Sequence, residues 1–202
     1  FTATPKRQDG LEKLMHFQIG SVVYKAASST SSFEQHVKVV KTNTSFPSEW
    51  LIPETKPHIS QVYKHLVCDQ SRNEMIVNSV KQSVNNDRSV MVLTERKEHI
   101  ELLAKLMADK GIKVVELHGG ISTKERQERI TFLSSKPSND EAVVVLATGK
   151  YVGEGFDLPH LDTLFITLPI AWKGILAQYA GRIQREWSSK AIIQVYDFID
   201  DF

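Results

Sequence analysis

The sequence predicts an α/β fold, a parallel sheet with helices covering both faces, and three observations carry that prediction. Short apolar runs recur at residues 89–93 (S-V-M-V-L) and 142–147 (A-V-V-V-L-A), with a further strand at 161–168, as expected of strands buried on both faces. The segments between them space their apolar residues three and four apart, the helical period. The connections are short, so strand and helix alternate as βαβ units.

Taken in order, residues 11–17 read as a short helix with Leu11, Leu14 and Met15 inward. Residues 21–27 read as a strand, 28–32 as a polar loop and 35–42 as a second strand. Pro47, Pro53 and Pro57 mark an irregular connection. Residues 59–84 carry a helical pattern with a break near 69–71, and Asn85-Asn86-Asp87 ends it. The strand at 89–93 leads to an amphipathic helix over 97–110, stopped by Gly111. A strand at 112–117 precedes a helix over 122–133 that opens with the capping-box pattern Ser122-x-x-Glu125. The runs at 142–147 and 161–168 follow, then a helix around 178–185 and a last strand at 191–196. Ligands of such sheets gather at the carboxyl ends of the strands.

Composition is that of an ordinary globular domain, 41% hydrophobic and 24% charged with a net charge of +1. A nucleic-acid partner would therefore be held by local clusters rather than a global field. The single cysteine, Cys68, excludes an intrachain disulfide and a cysteine-rich metal site. No apolar run reaches membrane-spanning length and no signal peptide is visible; the expectation is a cytoplasmic protein, or a nuclear one in a eukaryote, without a membrane partner. The start at Phe1, without an initiator Met, reads as a fragment of something longer.

Residues 178–185 (Q-Y-A-G-R-I-Q-R) concentrate the chemistry. On a helix Gln178, Arg182 and Arg185 share one face, because positions i, i+4 and i+7 nearly eclipse, while Ile175, Leu176, Tyr179 and Ile183 form another. Paired guanidiniums suit a phosphate, although a solvated surface helix has the same spacing. Thr94-Glu95-Arg96, His118-Gly119-Gly120 and Thr148-Gly149-Lys150 each follow a strand. Gly119, Gly120, Gly153 and Gly155 can equally be simple turns, and no second ligand stands at metal spacing from His118. A phosphate-binding loop is missing: the Gly-Lys pair at Gly149-Lys150 is followed by Tyr151, and Val144 stands where the first glycine belongs. Gly153-x-Gly155 lacks the third glycine of a dinucleotide fingerprint. The chain thus offers arginines for a phosphate and no cradle to hold one.

Six stretches together resemble the superfamily 2 helicases and translocases. Q-Y-A-G-R-I-Q-R resembles motif VI, A-T-G-K-Y-V-G-E-G-F-D-L-P (147–159) motif V, V-M-V-L-T-E-R (90–96) motif IV, and E-L-H-G-G-I-S-T-K-E-R (116–126) the H-G-containing motif after it. T-A-T-P-K-R-Q-D-G (2–10) resembles motif III, and V-Y-D-F-I-D (195–200) the strand that closes the second domain. The likeness is greatest to the type III restriction-subunit-like and nucleotide-excision-repair-type branch.

That resemblance implies a three-layer RecA-like fold, with residues 1–57 holding the end of a first RecA-like domain plus a connection and 58–202 forming the second. It implies an ATP-hydrolysing DNA helicase or translocase, inactive as this piece alone, whose ATP and Mg²⁺ are held mainly by the first RecA-like domain of the same chain. Arg182 and Arg185, helped by Gln178, would contact the ATP phosphates; Gly155 and Asp157 would line the nucleotide, Asp157 near the ribose. Thr148, His118, Gly119 and Arg126 would lie along nucleic acid, DNA rather than RNA, and Thr2 and Thr4 would couple the two sites. The chain departs from the pattern at Tyr179, where many relatives have a second arginine, and at Gly149-Lys150-Tyr151, which replaces a Thr-Asp-type run. Two alternatives remain beside this one: a non-catalytic RecA-like module that binds nucleic acid or protein, and a duplex-DNA translocase of a restriction enzyme.

Overall fold

The computed structural model describes residues 12–20, 33–135, 143–152, 156–170, 179–185, 187 and 190–200. The expected strand at 21–27 lies outside them, as do Thr2, Thr4, Gly155 and Gln178. In chain order the elements are α1 (Glu12–Ile19), β1 (Glu34–Lys41), α2 (Ile59–Cys68), α3 (Gln70–Asn85), β2 (Val90–Thr94), α4 (Lys97–Ala108), β3 (Lys113–Leu117), α5 (Thr123–Ser135), β4 (Val143–Thr148), β5 (Thr163–Ile166) and β6 (Ile192–Ile199). Residues 179–183 are helical and are called the arginine helix below. The proline-rich connection makes two short 3-10 turns, Ser48–Leu51 and Pro53–Thr55. On α1, Leu14 is exposed rather than inward.

The six strands form one sheet in the order β1-β6-β5-β2-β4-β3, and every pairing is parallel. β1 runs along β6 over its full length, Glu34 beside Ile192 through Lys41 beside Ile199, so residues ahead of position 58 supply an edge strand of this sheet. β2 and β5 are buried at every position, which is why apolar residues dominate both. On one face α3 and α4 pack Ile76, Val80, Ile100 and Leu103 against Val92, Leu146 and Phe165. On the other, Ile130 and Leu133 of α5 and Tyr179 and Ile183 of the arginine helix cover Met91, Leu93, Val145 and Ala147. Each fully buried aliphatic or aromatic side chain here contributes about 1.5–3 kcal/mol relative to exposure.

The break between α2 and α3 falls on Asp69, whose extended backbone ends one helix and starts the next. Its carboxylate accepts from the Arg72 backbone N–H at 3.0 Å and the Ser71 hydroxyl at 2.8 Å, satisfying donors that a helix start leaves orphaned.

Two polar groups inside the core are fully partnered. The Arg72 guanidinium, 1% exposed, donates Nε and Nη2 to the Asp200 carboxylate at 2.8 and 3.2 Å and Nη1 to the Thr167 carbonyl at 2.6 Å. Thr42 also donates to Asp200, at 2.5 Å. This cluster ties α3 to the ends of β5 and β6 and to the chain leaving β1. Beside it, Asn73 donates its amide N–H to the Val67 carbonyl. Its oxygen is left to accept from His99 Nε2 at 2.9 Å, so His99 Nδ1 accepts from the Thr94 hydroxyl at 2.9 Å.

His99 is therefore a buried neutral imidazole, its pKa driven from 6.5 to about 3, first by burial and then by the Arg72 charge. The unfolded chain takes up this proton near pH 6.5 and the folded chain near 3, so this contribution is complete above 6.5 and is lost as pH falls toward 3. The slope is at most about 1.4 kcal/mol per pH unit. Urea unfolding between pH 4 and 7 should show His99→Gln with a shallower loss of stability on acidification than the parent. Parallel pH profiles would contradict the assignment of a neutral, buried His99.

Candidate functional site

Two surfaces collect the residues singled out by the sequence. The first is the rim at the carboxyl ends of β2, β4 and β3. Thr94 and Thr148 stand side by side in register, and Leu117, the residue before His118, is in register with Ala147, the residue before Thr148. The rim thus sets Glu95, Gly149 and the His118-Gly119-Gly120 loop next to one another.

His118 is buried at 7% exposure. Its Nδ1 accepts from the Gly120 N–H at 2.9 Å and its Nε2 lies 3.5 Å from the Glu116 carboxylate. The imidazole braces its own loop, and it is Gly119 and Gly120 that are exposed. Arg126 comes up from α5 and sets its guanidinium 5.4 Å from the centre of the Tyr151 ring, a cation–π distance. The Tyr151 hydroxyl also reaches to 3.0 Å from the place a β-carbon on Gly119 would take. Tyr151 therefore joins three rim segments. Sequence reasoning set it aside as a departure in motif V, because its partners lie 25 and 32 residues away in the chain.

The second surface is the flank formed by the arginine helix and the segment that leads from β4 back to β5. Tyr179 starts the described part of this helix beside Gly149, and the helix descends from the rim, so the arginines lie on the flank and not at the strand ends. Arg182, half-buried, donates Nη1 to the Phe156 carbonyl at 3.1 Å. Arg185 pairs with Asp157 at 2.7 Å, both side chains about half exposed (45% and 54%). The structure thus brings together Arg182, Arg185 and Asp157, which the sequence proposed separately as phosphate and ribose contacts.

A further residue that the sequence reading missed anchors this helix from below. Lys190, just before β6, donates Nζ to the carbonyls of Ile183 and Arg185 at 2.8 and 2.9 Å. A cation at a helix C-terminus satisfies orphan carbonyls and complements the helix dipole. Burial pulls its pKa down to about 8, against the pull of Asp162 upward and with that of Arg88 downward. Lys190 lies seven residues past the last described helical residue, Ile183, outside the last turn where a capping cation is sought, so the sequence carried no signal for it.

No group of three His, Cys, Asp or Glu side chains able to hold a metal occurs among the described residues, and no described helix is long and apolar enough to cross a membrane.

With this geometry in hand, comparison with known proteins is decisive at the level of family. The family model of the helicase conserved C-terminal domain matches residues 71–187. The chain belongs to that family. Among solved structures, this helicase C-terminal domain superposes on bacteriophage T4 UvsW with a TM-score of 0.63 at 16% identity, over 86% of this chain and 34% of that one. It superposes on domain 2 of the DEAD-box helicase Mss116p, bound there to an RNA duplex, with a TM-score of 0.51 at 17% identity, over 84% of this chain and 55% of that one. These likenesses establish the RecA-like α/β fold. Among curated relatives, transcript termination protein A18 of Fowlpox virus is 25% identical over 98% of this chain and 42% of its own length. The putative helicase 161L of Invertebrate iridescent virus 6 is 26% identical over 99% of this chain and 44% of its own length. The helicase C-terminal domain and its flanks thus span less than half the length of these relatives.

Proposed function

We propose that this chain is the second RecA-like domain of an ATP-driven DNA helicase or translocase, whose first RecA-like domain, in the same protein, holds ATP and Mg²⁺. The observation that carries the reading is the flank itself. Two arginines are fixed there by a packed helix, and one of them is engaged with an exposed carboxylate. An exposed ion pair contributes about 0–1 kcal/mol, so Arg185 can leave Asp157 for a phosphate at small cost. Arg182 and Arg185 are donors that fit the outer side of a phosphate, and among the described residues nothing forms a cradle around one.

ATP would supply the phosphoanhydride whose cleavage drives movement. The part of this chain is to present Arg182 and Arg185 when the domains close, with Gln178 beside them, and to free Asp157 for the ribose with Gly155 next to it. Arginines so placed stabilise charge that develops on a transferred phosphoryl group. The rim would carry the strand: Thr148 and the exposed backbone of Gly119 and Gly120 as phosphate contacts, Arg126 held ready by Tyr151, and His118 as the brace of that loop. Contacts of this kind are salt-sensitive and weakly sequence-specific. Thr2 and Thr4 would join the two sites from the first domain.

The test is ATP hydrolysis by the full-length protein with no nucleic acid, with single-stranded DNA, with duplex DNA and with RNA, beside a strand-separation assay. DNA-stimulated hydrolysis is the expected result. Stimulation by RNA alone would reassign the track, and no hydrolysis under any condition would remove the motor.

A further inference from the structure

Tyr179 and the run Gly149-Lys150-Tyr151 are where the sequence departs from the motif pattern it resembles, and the fold puts Tyr179 against Gly149. The Tyr179 hydroxyl sits 1.7 Å from the point a β-carbon on Gly149 would occupy, and its ring carbon Cζ 2.6 Å from it. Glu95, just after β2, also approaches the same point, with a carboxylate oxygen 2.9 Å away. Tyr179 is 7% exposed, and burial, with Glu95 adding to it, raises its pKa to about 12, so the hydroxyl stays neutral. The absent side chain at 149 is therefore a slot, and the slot is filled by the first described residue of the arginine helix.

We propose that Tyr179, seated on Gly149, is the positioning residue that fixes the arginine helix to the end of β4, so that the rim and the arginine flank move as one body. The consequence rests on the motor reading above. Thr148, the residue before Gly149, belongs to the proposed nucleic-acid track, and Tyr179 lies one turn before Arg182 on the proposed phosphate-facing helix. A strand on the rim would then be felt at the arginines through one side-chain contact. This makes Tyr179 neither a ligand of the nucleotide nor of the strand. Its role is placement, and a displacement of about 1 Å can cost on the order of 10²-fold in rate.

The experiment is a double-mutant cycle in the full-length protein with Gly149→Ala and Tyr179→Ala, read by DNA-stimulated ATP hydrolysis and by amide hydrogen exchange over residues 179–185. A β-carbon at 149 needs the tyrosine to retreat by roughly 1.3 Å to reach even the 3.0 Å limit of real contacts. Gly149→Ala is expected to lower stimulated turnover between tenfold and hundredfold and to speed exchange over 179–185, with exchange in α3 and α4 unchanged. The double variant is expected to match Tyr179→Ala alone, since with the ring gone the new methyl meets only the tip of Glu95, a flexible side chain that can shift. Additive losses, or a Gly149→Ala protein with parental turnover and exchange, would overturn the proposal. Should Gly149→Ala fail to fold, Tyr179→Ala decides it: parental exchange over 180–185 in that variant is contrary to the proposal, and accelerated exchange supports it. A parent protein without ATPase activity would defeat the motor reading, while the exchange measurement would still decide whether Tyr179 holds the helix.

Discussion

In the full-length protein, Arg182→Ala is expected to reduce DNA-stimulated ATP turnover by about 10³-fold or more, the scale on which arginines that stabilise a transferred phosphoryl group act. Arg182 is the firmer of the pair. It is half-buried and donates to the Phe156 carbonyl, whereas Arg185 is held by one exposed carboxylate. The loss should appear in kcat, because the interaction strengthens as charge develops in the transition state. Arg182→Lys keeps the charge and loses the planar fork, so it should recover part of the activity and no more. Arg182→Ala turnover within a few-fold of the parent would show that the arginine helix faces no phosphate during hydrolysis and would return it to the surface-helix reading.

Arg72→Met is expected to destabilise the fold by about 3–5 kcal/mol, the penalty for leaving one partner of a buried ion pair uncompensated. The side chain of Asp200 is 6% exposed and takes two of its hydrogen bonds from Arg72; without the guanidinium it keeps Thr42 and little else. The Thr167 carbonyl loses its donor at the same time. Urea unfolding should show a lower midpoint with an unchanged m-value. Arg72→Met combined with Asp200→Asn should recover part of the loss, because the stranded charge is removed. A loss below about 1 kcal/mol for Arg72→Met would mean that water reaches Asp200 and that the pair is not the staple the geometry indicates.

The central strands were legible in the sequence because burial on both faces leaves no polar residue to interrupt Val90–Thr94 or Val143–Thr148, and the glycine after α4 marked its end. Membership of β1 in the sheet was not legible. Residues 35–42 read as a strand, yet the partner of β1 lies some 158 residues later in β6, and pairing at that separation leaves no local trace. The same applies to the site. Arg182, Arg185 and Asp157 were each identified from a motif, but that Arg185 rests on Asp157 is a matter of how the segment after β4 folds back. His118 shows the opposite limit: its position in a motif pointed to nucleic acid, while its burial and its bond to Gly120 give it the task of bracing a loop. Gly149 read only as part of a departure from motif V, because nothing in a one-dimensional pattern reveals that a tyrosine thirty residues on will need its missing β-carbon.

The strand order has a consequence for how this domain can be cut. The residues matched by the family, 71–187, contain β2 to β5 and leave out β1 and β6. In the complete sheet β5 is flanked by β2 and β6, and all four of its residues are buried. A piece trimmed to 71–187 would turn this Thr-Leu-Phe-Ile strand into an open, apolar sheet edge, strip the aromatic stack of Tyr196 on Phe165, and strand Arg72 without Asp200. Such an edge is a template for self-pairing between copies. β1, by contrast, carries Glu34, His36, Lys38 and Lys41 along the natural border of the sheet, charges that discourage just that association. β1, which lies ahead of the residues matched by the family, thus acts as the sheet's charged hem.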